Sequence, residues 1–125
     1  MAEKPNFAIL RDEFAAEDGS FLIQLRCGLK WDRAAFLRLV TAMDQCCADL
    51  EGAEQVERWV ADGFWYVSWF VQSWATHENF PREFPEKYYQ DAFRLLFDLA
   101  SYFFSGSHPY TDRRFRFIEE ISRDR

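Results

Sequence analysis

Only two side chains in this sequence change charge near neutral pH without a large shift, the imidazoles of His77 and His108. His77 is followed by Glu78, and with Glu83 or a cysteine it has the ingredients of an acid–base or metal site. It also falls in the last turn of an expected helix, where an imidazole meets the terminal carbonyls and the negative end of the dipole, a simpler structural role. His108 stands before Pro109 and reads as a turn residue. Of three cysteines, Cys46 and Cys47 are adjacent. Vicinal thiols can bind a soft metal or sense redox state, but no further ligand stands at metal-binding spacing, so the expectation is core filling. The odd count disfavours a secreted disulfide scaffold and predicts reduced thiols.

The motifs that carry a mechanism in sequence are missing. There is no G-x-G-x-x-G, Walker A, G-x-S-x-G, H-E-x-x-H or paired C-x-x-C. Glycine is sparse, at 5 residues, with no run that would bring backbone N–H groups to a phosphate. The sequence therefore names no catalytic residue, no metal and no cofactor, and favours a non-enzymatic role.

Charge is the more informative signal. The net charge is −6, and from Asp44 to Asp62 six acids (Asp44, Asp49, Glu51, Glu54, Glu57, Asp62) stand against Arg58 alone. Nucleic-acid binding needs a clustered basic surface, and the five arginines between Asp112 and Arg125 are interleaved with four acids, so no nucleic-acid partner is expected. A local acidic excess steers encounter with a basic protein instead. The first functional expectation is a small protein-binding module, of the inhibitor or antidote kind, that presents Asp49, Glu51, Glu54, Glu57 and Asp62 with Trp65 and Trp69 to a basic partner. The alternative is a small-ligand binder or enzyme with an aromatic pocket between the central and following helices, using His77, Glu78 and Tyr89 as polar contacts.

These residues need elements to position them. Gly63 to Trp74, GFWYVSWFVQSW, is the most apolar stretch of the chain. Val56, Val60, Gly63, Val67, Phe70 and Trp74 are spaced by three and four, which predicts a central helix over Glu54–His77 with that stripe inward. Arg58 and Asp62, then Trp65 and Trp69, take the opposite side. The stretch is shorter than the roughly 20 apolar residues that span a bilayer, so no membrane segment is expected.

Asp32 is a good N-cap for a helix to about Leu50, with Phe36, Val40, Met43, Cys47 and Leu50 inward and Arg33, Thr41 and Asp44 outward. Pro85 starts a helix to Ser105, with Tyr89, Ala92, Leu96, Leu99, Ala100 and Phe103 inward; Lys87, Asp91, Arg94 and Asp98 form outward pairs four apart, and Gly106 ends the helix. Phe80 and Phe84 pin the proline-bracketed connection that precedes it. Phe7, Leu10 and Phe14 suggest a short first helix. Ser20 caps a second over Phe21–Cys27, a segment whose composition also suits a strand, with Gly28 as its stop. Phe115, Ile118 and Ile121 suggest a last one.

The expected fold is a single all-α domain over residues 1–125, a helical bundle with three longer helices at about 32–50, 54–77 and 85–105 and shorter ones at both ends. The start, MAEKPNF, lacks an apolar leader-like run, which with the reduced cysteines predicts a cytoplasmic protein. Trp65 and Trp69 need a cover. The expectation is that the N-terminal segments supply it and the chain is a monomer; left bare, the pair would drive a homodimer.

Overall fold

The computed structural model describes residues 5–123; the chain's first four residues, MAEK, and its last two, Asp124 and Arg125, fall outside this range. The described residues form six helices: α1 (Pro5–Phe14), α2 (Phe21–Gly28), α3 (Arg33–Asp49), α4 (Arg58–Ala75), α5 (Glu86–Ser105) and α6 (Arg116–Arg123). No strand occurs among them, so the fold is an all-α bundle, and its three longer helices lie within the spans that periodicity predicts. No described helix is long and apolar enough to cross a membrane.

The caps explain several boundaries. Ser20 Oγ accepts the Ile23 N–H at 3.2 Å, which decides the ambiguous 21–28 segment for helix. That helix runs through Gly28, and the left-handed position after it falls on Leu29, at φ 49°. Asp32 accepts the Ala35 N–H at 3.1 Å, and this hydrogen bond to the charged carboxylate holds its pKa below the ordinary range. Gly106 closes α5 at φ 77°, its N–H donating to the Tyr102 carbonyl at 2.9 Å.

The central helix begins four residues later than its periodicity predicts. Glu54, Val56 and Glu57 lie in the connection before α4, and Val56 is exposed rather than part of the inner stripe. A Cβ at Gly106 would lie 3.9 Å from the Gly52 backbone nitrogen, so the connection crosses the end of α5 on its way from α3 to α4. At the other end α4 stops at Ala75 with Thr76 as its cap, which puts His77 outside the helix.

α4 and α5 form the centre. Phe64, near the start of α4, stacks on Phe103, near the end of α5, with centroids 4.3 Å apart and planes at 11°. The two helices are therefore antiparallel. α1 packs on α3, α2 on α4, and α6 on α3 and α5. Trp31, just before α3, is a hub: its ring meets Phe21 at 4.9 Å, Phe36 at 5.1 Å and Tyr89 at 5.2 Å, and its Nε1 donates to the Tyr88 hydroxyl at 2.9 Å. α1, α2 and α3 are joined by the buried Glu13, which accepts the Phe21 N–H at 3.0 Å and pairs with Arg38 at 2.9 Å.

Candidate functional site

The antiparallel α4/α5 pair has two sides, and the facing rings of Phe64 and Phe103 separate them. In an antiparallel pair, residues that precede the facing positions by one turn to one side and those that follow by one turn to the other. Gly63 and Tyr102 precede. Gly63 lies against the Phe14 ring of α1, so close that a Cβ would fall 2.0 Å from a ring carbon. Tyr102 meets Phe115 at 6.2 Å and donates its hydroxyl to Glu51 at 2.7 Å. This side is covered by the rest of the chain.

Trp65 and Phe104 follow, and nothing in the described chain covers them. Trp65 is 56% exposed, Trp69 43%, Phe97 64% and Phe104 57%. Trp69 is one turn from Trp65, and Phe97 is two turns from Phe104, so the four rings make two rows on one face, with half-buried Ala61, Ser68 and Ala100 between them. The tryptophan rings touch at 5.5 Å, and Tyr66 holds Trp69 edge-on at 5.4 Å.

The expectation that the N-terminal segments cover Trp65 and Trp69 is therefore overturned. α1 inserts Phe14 into the space left by Gly63, and α2 offers the Leu25 carbonyl to Trp74 Nε1 at 3.0 Å, both on the other side of α4. Sequence reasoning also missed Phe97 and Phe104. Their signal was two large apolar residues seven apart, in phase with Arg94 and Ser101 rather than with Leu96 and Phe103.

The second surface is the end of the bundle where α3 stops and α4 starts. Glu51 accepts two hydrogen bonds from Arg113, at 2.8 and 2.5 Å, and the Tyr102 hydroxyl. The guanidinium first, then the hydroxyl, holds the Glu51 carboxyl down to about 2, and burial with the neighbouring carboxylate raises Tyr102. Glu51 thus already has its cation. Glu54 and Asp62 are exposed, with no ion pair among the described residues, while Glu57 accepts only the Trp59 Nε1 hydrogen at 2.8 Å. Asp49 is exposed beside them. Asp44 is half-buried instead of pointing away, and burial raises its pKa against the opposing influence of His108 and Arg113.

His77, Glu78 and Tyr89 do not converge. His77 is exposed and its Nδ1 accepts the Asn79 N–H at 3.1 Å, and Glu78 is exposed beside it. Tyr89 is fully buried, and its hydroxyl accepts the N–H groups of Glu83 and Phe84 at 3.1 and 3.3 Å. It anchors the connection. A groove of about 650 Å³ lies elsewhere, between α5, α6 and the segment before α6, over Leu95, Phe115 and Phe117. Its cations are paired internally, Lys87 with Asp91 at 2.8 Å, Arg114 with Glu119 and Arg116 with Asp112, both at 2.6 Å. Asp98, expected on the wet face, is buried at its edge, because Tyr110 donates its hydroxyl to the carboxylate that Arg94 pairs with at 3.1 Å.

Cys46 and Cys47 are buried; burial pushes Cys46 up to about 12 and Cys47 higher still, which leaves both as unreactive thiols. His108 is a turn residue whose Nδ1 accepts the Tyr110 N–H at 3.0 Å, with its ring against Phe115 at 4.5 Å. Among the described residues no group of three or more histidines, cysteines or carboxylates is placed to hold a metal ion. Comparison with known protein families, with curated proteins and with solved structures finds no match.

Proposed function

We propose that this chain is a non-catalytic protein-binding module, of the inhibitor or antidote kind, that engages a basic protein partner. The observation that carries a binding role is the uncovered α4/α5 face, since large rings exposed together on a folded surface are typical of contact sites. The sign of the partner comes from Glu54, Glu57 and Asp62, beside Asp49, with Arg58 the only cation in the same stretch. Such a surface accelerates encounter with a basic protein and loses that advantage as salt rises.

The test is affinity capture with the full chain and with a Glu54→Lys/Glu57→Lys variant, followed by binding of the purified partner at increasing salt. The expected result is a basic protein bound by the parent chain, with a salt-dependent affinity that the variant loses. A partner bound equally by both would overturn the acidic surface as its site.

A further inference from the structure

We propose that the uncovered α4/α5 face is where a second copy of this chain docks, so that the protein is a dimer with its acidic ends free. This rests on the reading of that face as a binding surface and assigns its occupant.

Three observations select a second copy. The first is area. An aromatic side chain contributes about 150–250 Å², so four rings about half exposed offer roughly 400 Å². A stable interface takes about 800 Å² per partner, and the rings alone supply about half of it. The surface between and beside them, including Ala61, Ser68, Gln72, Ala100 and Ser101, can supply more.

The second is charge. The chain carries −6 overall, but between the two rows the face presents no carboxylate, and Asp62 lies only at its border. Self-repulsion is therefore displaced to the α3–α4 end. A basic protein would find little on this face to pair with and would meet Arg94, whose guanidinium lies over the Phe97 ring at 5.9 Å, whereas a second copy meets a surface free of the carboxylates that carry the chain's excess charge.

The third is shape. A two-fold contact requires a surface that matches itself. Here rows of large rings flank a seam of small residues, and a two-fold axis lying in the plane of contact sets two such faces against each other, where a crossing of the two helix pairs lets each copy's rings fall over the other's seam. Four helices then pack as two layers, the arrangement by which apolar helix faces are ordinarily buried. Trp65 and Trp69 are thereby assigned to self-association, and the basic partner is left to the carboxylates.

Sedimentation equilibrium of the full chain tests this, with a Trp65→Glu/Phe104→Glu variant beside it. Both positions are exposed, so helix content by circular dichroism should stay unchanged in the variant. The expected result is a mass twice that of the chain for the parent, and a dissociation constant raised at least about 30-fold in the variant. A parent that stays monomeric up to about 100 μM overturns the inference, since binding weaker than that is no stable dimer. So does a variant that dimerises as tightly as the parent. Capture of a basic protein, repeated with the same variant, separates the two readings. If the parent is monomeric and capture needs the rings, the face belongs to that other protein and only self-association fails. If the parent is monomeric and capture ignores the rings, the binding role of the face fails as well.

Discussion

The two sides of the α4/α5 pair are built from neighbouring residues and have opposite fates. Gly63 and Trp65 are two positions apart on one helix, as are Tyr102 and Phe104 on the other. On one side a missing side chain admits Phe14, and a phenol reaches a carboxylate that an arginine holds. On the other side four rings face outward, and no other helix of the described chain covers them. Hydrophobicity does not separate them, since tryptophan and phenylalanine are as apolar as anything on the covered side. What separates them is whether the neighbouring surface has a complementary shape. A gap at Gly63 recruits a helix, whereas projecting rings at Trp65 and Phe104 do not.

The sharpest way to test the contrast is to truncate adjacent residues. Phe64→Ala removes a fully buried ring stacked between the two helices and should cost about 3–5 kcal/mol in chemical denaturation. A smaller loss would mean that the two helices are held mainly by other contacts. Gly63→Ala should come next, at about 1–3 kcal/mol, because the new methyl collides with Phe14 while helix propensity returns about 1 kcal/mol. Combining it with Phe14→Ala should recover much of that loss; additive losses would show that Phe14 does not depend on the gap.

A pH titration addresses the covered side from its polar end. Glu51 has a folded pKa of about 2, below its ordinary value of 4.5, so its contribution is fully present above the higher value and is lost as pH falls towards the lower. Arg113→Met should therefore be less stable than the parent above about pH 4.5, with the two curves converging as pH approaches 2. A gap that stayed constant down to that pH would exclude the ion pair as its source. The smallest effect is expected on the uncovered side. Measured at a concentration where the chain is monomeric, Trp65→Ala should change stability by no more than about 0.5 kcal/mol. A loss comparable to that of Phe64→Ala would mean that the tryptophan is covered after all, and the contrast would collapse.

Periodicity and caps made much of the fold legible. Asp32 and Gly106 act where local hydrogen bonding requires them, and the inner stripe of α5 is buried from Tyr89 to Phe103 apart from half-buried Ala100. What was illegible depends on contacts distant in sequence. Nothing near Glu54 reveals that the chain must cross the end of α5, and nothing near Asp98 reveals Tyr110, twelve residues on. Trp31, the aromatic hub, precedes its helix and belongs to no stripe. As for the candidate surfaces, the sequence placed Trp65 and Trp69 opposite the core and located the acidic end. It could not say that Glu51 is bound to Arg113, or that Phe97 and Phe104 extend the tryptophan patch across a second helix.

Tyr89 has a mechanical consequence. One phenol oxygen, buried in α5, takes two successive N–H groups from the connection that brings the chain back from α4. The connection is thereby fastened where it enters α5, and with Phe80 buried at its middle it has little slack with which the two helices could slide or splay. The rings on the outer side keep their spacing whether or not anything rests on them. A binding partner then loses little affinity to reorganisation, because the surface it meets has been ordered by folding itself.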